Sequence, residues 1–262
     1  MNSKMKEGNK IITTSIVPLD LDEIIYKKSR YVRKNSMKIC VCGPLKCGKS
    51  SFINHFDDKA LNVEAKARDN NYYTIGMDLG IVRLNGFDVF LFGTPGLLRF
   101  NVMRDVIVQG TDGIIFIFDA AHPEKDEDGI VILNAIRKSL FPETPIVYLA
   151  NKQDVAGARH PEVVRSQNYL PQDVVIFATS TRTGENLDEA LKYIVNQIYD
   201  NYSALLKILR QYEDDIEGLS EELHKDKIEM RDLLNNLEIK RFIDIDRFNK
   251  TYKVREGMKM LL

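Results

Sequence analysis

The chain of 262 residues is poor in cysteine, with only Cys40, Cys42 and Cys47. Two fall in one apolar stretch and one in the turn after it, so they form no disulfide framework, and a reduced, cytosolic setting is expected. No apolar run is long enough to span a bilayer. Met1–Lys10 is polar and lacks the apolar core of a secretory signal. Residue 2 is Asn2, not the glycine that N-myristoylation requires, and no prenylation cysteine is present. Neither sign of charge dominates: 37 Lys/Arg face 38 Asp/Glu, for a net charge of −1. That balance gives no bulk electrostatic reason to expect a nucleic-acid partner. Finally, no proline follows Pro171, so nothing of that kind interrupts a helix beyond it.

The most informative segment present is Gly43-Pro44-Leu45-Lys46-Cys47-Gly48-Lys49-Ser50, which fits G-x-x-x-x-G-K-[ST]. The apolar run Ile39–Cys42 leads into it, and a helix over Ser50–Phe56 is expected after it. Phosphates need many positive dipoles in a small space. A glycine-rich turn between strand and helix supplies them as backbone N–H groups, helped by the helix N-terminus. Lys49 is expected to reach the β and γ phosphates, and the Ser50 hydroxyl to bind Mg²⁺.

Further along, strands and helices alternate. Strands are expected at 37–42, 77–84, 87–92, 113–119, 145–150 and 173–178, with Asn85-Gly86 as a tight-hairpin signal. Helical spacing marks Asp126–Leu140 and Asn186–Tyr199, and 57–73 reads as polar and irregular. The pattern predicts an α/β fold: a six-stranded, mostly parallel sheet with one antiparallel hairpin and helices on both faces. In such folds ligands sit at the carboxyl ends of strands, where the motifs fall. From Leu191 to Leu237 an apolar register steps by four and three, with a break at Asp226. It reads either as an amphipathic helix folding back on the main domain or as a coiled coil, self-pairing or with a partner. Gly218 and Asp226 weaken a continuous rod.

Asn151-Lys152-Gln153-Asp154 directly follows a strand. A carboxylate there accepts two hydrogen bonds from the N1–H and 2-amino group of guanine. Adenine offers neither donor in that arrangement, so the carboxylate would be left unpaired. An ATPase reading therefore makes Asp154 a coincidence. Asn151 is expected to tie this loop to the base and to the phosphate loop, and the Lys152 stem to lie over the base. Ser180-Thr181-Arg182 follows the last strand.

Together these segments resemble the Ras-like small GTPase superfamily over about residues 37–200. N-K-Q-D resembles the Arf-like form. Phe92-Gly93-Thr94-Pro95-Gly96 and Thr74-Ile75-Gly76-Met77-Asp78-Leu79-Gly80 resemble instead a prokaryotic, more specifically archaeal, Ras-like group, which is the favoured of the two. The resemblance implies a GTP/GDP switch with Mg²⁺. Its nucleotide-binding set is Gly43, Pro44, Leu45, Lys46, Cys47, Gly48, Lys49, Ser50, Ser51, Asn151, Lys152, Asp154, Ser180, Thr181 and Arg182. Thr74 joins Ser50 on the metal and grips the γ-phosphate, and the Gly96 N–H bonds that phosphate; Lys49, Thr74 and Gly96 are the catalytic set. The Ser180–Arg182 loop stands where the superfamily carries Ser-Ala-Lys, with a backbone N–H on the guanine oxygen. Thr181 replaces the alanine.

Three positions depart from the superfamily. Gly93 replaces an aspartate that holds a Mg²⁺-bound water, which predicts weaker Mg²⁺ affinity. Leu97 replaces the glutamine that orients the attacking water, and leucine has no donor or acceptor for that role. Leu45 replaces a glycine close to the γ-phosphate, where a side chain would crowd an incoming arginine finger. Very slow intrinsic hydrolysis is expected, with Arg99 or Gln109 as the only candidate substitutes, and Arg99 also reads as an ordinary solvated charge. His55, His122, His160 and His224 show no metal spacing.

The expected organisation is an N-terminal extension over 1–36, a GTP-binding domain over 37–200 and a helical extension over 201–262. Residues 20–36 set Ile24, Ile25, Tyr31 and Val32 among Lys27, Lys28, Arg30, Arg33 and Lys34, either a basic helix on anionic lipid or a lead-in helix on the domain. Two functions compete. One is a regulatory GTPase that meets effector, exchange and activating proteins through residues 70–105. The other is a GTP-locked scaffold whose C-terminal helices pair.

Overall fold

In the computed structural model, residues 36–62, 64–66, 72–74, 77–84, 86–240 and 242–255 are described. They belong to one compact unit, Asn35–Leu262. The basic segment at 20–36 and the tail beyond 255 lie outside the described residues, except Ser36.

The chain begins with β1 (Ser36–Cys42), the phosphate loop and α1 (Lys49–Phe56). Two short strands, β2 (Glu64–Lys66) and β3 (Tyr72–Thr74), pair with each other inside the segment expected to be irregular. Next come β4 (Asp78–Leu84) and β5 (Phe87–Gly93), then α2 (Asn101–Val108) and β6 (Gly113–Asp119). There follow α3 (Asp126–Arg137), β7 (Ile146–Asn151), α4 (Pro161–Gln167), β8 (Ile176–Ala178) and the long α5 (Leu187–Gln211). The last elements are α6 (Ile216–Glu222), α7 (Lys227–Ile239) and the hairpin β9 (Ile243–Asp246) with β10 (Thr251–Val254).

The main sheet has six strands in the order β4-β5-β1-β6-β7-β8. Only β4 and β5 run antiparallel, with Leu84 opposite Phe87. The other pairs are parallel. Chain order reverses at β1, whose neighbours are β5 and β6, so the loop after Cys42 opens at the switch point where α/β sheets bind ligands.

Side chains alternate between two cores, as strand geometry requires. Ile39, Val41, Leu91, Ile115, Ile117 and Leu149 face α1 and α5. Cys40, Cys42, Phe116, Phe118, Tyr148 and Ala150 face the other way, toward α2, α3 and α4. The three thiols are free and buried, and burial pushes the Cys40 thiol up to about 11. They are packing groups, not reactive ones.

The apolar register starting at Leu191 does not run as one rod. The helix α5 stops at Gln211, and Asp215 then caps α6 by accepting from the Gly218 N–H at 2.8 Å. Asp226 and Glu229 form a reciprocal capping box that starts α7. These local bonds satisfy backbone donors that a continuous helix would pair internally, so the chain turns at both places. The register residues Leu191, Val195, Ile198, Leu209, Leu219, Met230 and Leu237 then share one buried cluster with Ile39 and Leu91 of the sheet. Residues 242–255, of unclear structure from sequence, supply Phe242, Ile243, Tyr252 and Val254 to the same cluster. The buried Asp112, just before β6, fastens this end of the molecule. It accepts from the Lys38 N–H at 2.7 Å, from Lys240 Nζ at 2.7 Å and from the Tyr202 hydroxyl.

Candidate functional site

Five strand ends meet on one side of the sheet: Cys42 of β1, Gly93 of β5, Asp119 of β6, Asn151 of β7 and Ala178 of β8. The phosphate loop fills the middle. The Phe52 N–H makes the first helical bond of α1, to Gly48 O at 2.8 Å. The first turn of a helix has no preceding turn to supply acceptors for its amides, the usual condition for anion binding at a helix start. Gly48 sits at φ +112, and a Cβ there would lie 2.3 Å from Asn151 Nδ2, so only glycine fits. Lys49 is buried, with Nζ donating to Pro44 O at 2.7 Å across the loop. Lys46 takes a left-handed conformation at φ +60 with its side chain exposed.

Asp78, the first residue of β4, was read from sequence only as part of the Thr74–Gly80 segment and was given no role at the site. It lies opposite Gly93 of β5, is 1% exposed, and accepts from Ser50 Oγ at 2.7 Å. A Cβ on Gly93 would come within 2.8 Å of Asp78 Oδ2. The space that an aspartate at 93 would occupy is thus held by a carboxylate reaching across from the neighbouring strand. A signal was available: Asp78 is an acidic residue entering a strand whose partner strand is apolar. The Ser50 hydroxyl and the Asp78 carboxylate are hard oxygen donors, which suits Mg²⁺. Among the described residues no group of three or more His, Cys, Asp or Glu could hold a metal.

At the other end of the site, Asn151 is fully buried and fully bonded. Its Nδ2 donates to Cys47 O at 2.7 Å and to Thr181 Oγ1 at 3.1 Å. Its Oδ1 accepts from the Thr181 N–H at 3.0 Å and from Thr179 Oγ1 at 3.4 Å. Asp154 accepts from Ser180 Oγ at 2.6 Å, and Arg182 Nη1 stands 3.8 Å from its other oxygen. Lys152 Nζ donates to Asp119 at 2.7 Å. Burial acts to raise the Asp119 carboxyl, but Lys125, Lys152 and His122 all bond it, and together they hold it below the usual carboxylate range. Lys152 is thereby anchored at its tip, with its stem left to flank a ring.

The segment after β5 lies on the phosphate loop. A Cβ on Gly96 would fall 2.8 Å from Leu45 N and from Lys49 Nζ. Arg104 of α2 is 2% exposed and donates to Pro95 O at 2.8 Å, Leu97 O at 2.9 Å and Leu98 O at 3.2 Å. It was not singled out from sequence, because only the turn of α2 brings it over these three carbonyls. Replacing Arg104 by Ala is expected to cost about 2–3 kcal/mol, the scale of charge-assisted bonds lost in a buried place, seen as a lower urea midpoint. Leu97 is partly buried and Arg99 is exposed against the Phe100 ring. Gln109 ends α2 beside Lys38, at the opposite end of β1 from the phosphate loop, so it is not a substitute for the missing glutamine. Thr74 closes β3 opposite Glu64; its side chain lies outside the described residues. The histidines do local work: His55 faces Asp188, His122 contacts Asp119, His160 caps α4 and His224 contacts Glu221 O.

The sheet order and the phosphate loop at its switch point are those of a Ras-like small GTPase. The profile of the ADP-ribosylation factor (Arf) family matches residues 23–198, and the chain belongs to that family. It is similar to the uncharacterized protein MJ1339 of Methanocaldococcus jannaschii, at 28% identity over 63% of this chain and 99% of that one. It is also similar to human Ras-related protein Rab-4A, at 26% identity over 62% of this chain and 73% of the relative. Human Ras-related protein Rab-7b is 24% identical over 67% and 88%. The resemblance to the superfamily therefore holds, in its Arf form and with an archaeal relative. The chain is a GTP-binding switch protein in general character. Among the described residues no helix is long and apolar enough to cross a membrane.

Proposed function

We propose that this protein binds GTP and GDP with Mg²⁺ at the strand ends described above and hydrolyses GTP very slowly. The observation that carries the reading is the link from Asp154 to the phosphate loop. Ser180 orients the carboxylate, and Asn151 joins the same loop to Cys47 O at 2.7 Å. A carboxylate so held meets the N1–H and 2-amino donors of guanine while the amides of residues 45–51 cradle the phosphates. Ser50, supported by Asp78, and Thr74 hold the metal; Lys49 and the Gly96 N–H meet the γ-phosphate. Mg²⁺ supplies charge neutralisation at the β and γ oxygens. Calorimetry with Mg²⁺ tests the reading: GDP is expected to bind and ADP not, and equal affinities would remove it.

Slow hydrolysis follows from Leu97. No side chain there holds a water in line, and Leu45 covers the approach for a second protein's arginine. Single-turnover hydrolysis is expected below about 4 × 10⁻⁴ s⁻¹, the scale of an unassisted small GTPase. Leu97→Gln is expected to raise the rate severalfold; a wild-type rate above that scale, or no gain in the variant, contradicts the assignment.

Loss of the γ-phosphate removes the bonds that order residues 70–105, so effector, exchange and activating proteins are expected to read that segment. Leu98, Val102, Met103 and Val106 are exposed apolar side chains within or just beyond it, as a partner surface needs. A second reading, a GTP-locked scaffold, is favoured by Leu97. The nucleotide extracted from purified protein separates the two: mostly GDP supports the switch, mostly GTP the scaffold. Peripheral membrane contact through residues 20–36 remains a proposal of the sequence. Self-association through the C-terminal helices has less apolar surface available, since much of the register is buried within the chain.

A further inference from the structure

We propose that Thr181 is a positioning residue that ties the base-reading loop to the phosphate loop through its hydroxyl, and so slows the release of guanine nucleotide. The inference rests on the guanine-nucleotide reading above and deepens it.

Three pieces of chain meet at this side chain. Thr181 lies in the loop between β8 and α5, Asn151 ends β7, and Gly48 closes the phosphate loop. Thr181 uses both its N–H and its Oγ1 on Asn151, at 3.0 and 3.1 Å. It also packs on Gly48, where an ideal Cβ would lie 3.0 Å from Thr181 Oγ1 and 3.4 Å from its Cγ2. An alanine at 181 keeps the N–H, the only group that the superfamily pattern uses at this position, there on the guanine oxygen and here bonded to Asn151 Oδ1. It cannot take the second hydrogen of Asn151 Nδ2. That amide has two hydrogens to place, and Cys47 O takes one. Asn151 is 0% exposed, so water does not readily replace the lost acceptor. The cost of an unmet donor in a buried site exceeds that of a bond exchanged with solvent.

The consequence is kinetic. A nucleotide leaves when the loop over the base and the loop under the phosphates come apart, and the Thr181–Asn151–Cys47 chain holds them at a fixed spacing. The hydroxyl touches neither base nor phosphate in this argument. It acts through Asn151.

The test follows release of fluorescently labelled GDP from the full chain in Mg²⁺ with excess unlabelled GDP. Thr181→Ala is expected to speed release about tenfold, the scale of one buried bond lost. Thr181→Val keeps the shape without the acceptor and is expected to match Ala. Thr181→Ser restores the acceptor and is expected within about twofold of wild type. Packing alone predicts the reverse order, with Val slow and Ser fast, and that order overturns the proposal. So does release from the Ala variant at the wild-type rate. If the unmodified chain binds no GDP in calorimetry, the guanine reading itself has failed. If it binds GDP and the variants release it alike, only the Thr181 proposal has.

Discussion

Asp154→Asn is expected to turn this protein from guanosine toward xanthosine nucleotides. The asparagine oxygen still accepts from the base N1–H and from Ser180, whose hydroxyl now lies 2.6 Å from the carboxylate. Its amide N–H₂, however, faces the 2-amino group of guanine, donor against donor. Xanthine carries a carbonyl at that carbon and accepts the bond. Affinity for GDP should fall by about 100-fold or more, the scale of losing a charge-assisted bond and opposing a second donor. Affinity for xanthosine diphosphate should rise over the same range. Competition binding with the two diphosphates reads both changes in one experiment. A variant that loses GDP without gaining the xanthosine nucleotide would mean that Asp154 shapes the loop and does not read the base.

The second large effect is expected at Asp78. Its carboxylate is the acceptor for the Ser50 hydroxyl at 2.7 Å and stands where a side chain on Gly93 would be. Asp78→Ala should raise the Mg²⁺ concentration needed to slow nucleotide release by about 10- to 100-fold, the usual range for groups that support metal ligands. Release in excess chelator should be unchanged, because the phosphate and base contacts are intact. The paired exchange is the sharper measurement. Asp78 and Gly93 face each other across β4 and β5, so Asp78→Gly with Gly93→Asp moves the carboxylate to the other strand while keeping it in the same space. That double variant should recover most of the Mg²⁺ response. Gly93→Asp by itself forces two carboxylates together and should be worse than wild type. If Asp78→Ala leaves the Mg²⁺ titration where it was, the carboxylate is a structural partner of Ser50 and nothing more.

Much of the site was legible because its parts are local. The phosphate loop is eight consecutive residues, and its strand and helix are adjacent in the chain. Asp154 lies three residues beyond Asn151, and the strand that ends at Asn151, 146–151 against the expected 145–150, is apolar from Ile146 to Ala150. β6 was readable to the residue, at Gly113–Asp119, since all seven of its residues are buried and five consecutive apolar side chains, Ile114–Phe118, mark it. The two helices passed over, α2 and α4, are short. Eight and seven residues give few turns in which a period can show, and Arg104 and Arg165 on their inner faces disguise it. Asn186–Tyr199 was extended by the structure to Gln211 because α5 continues past the sheet and keeps burying Leu206 and Leu209 against the C-terminal elements.

By itself the sequence determined the family, the strand–helix alternation and the order of the phosphate- and base-facing motifs, since each depends on residues a few positions apart. It also determined that position 97 has no polar group to offer a water. Only the tertiary structure decided how those motifs cooperate. Asp78 stands opposite Gly93, with its carboxylate beside that glycine, because two strands align them, and Asn151 joins residues 104 and 30 positions away because three strand ends converge. It also decided that the long apolar register folds back instead of continuing: two aspartates cap new helices, and the sheet offers that register a larger apolar surface than a straight helix would keep. Periodicity specifies which face of a helix is apolar; what covers that face depends on contacts between residues distant in the chain.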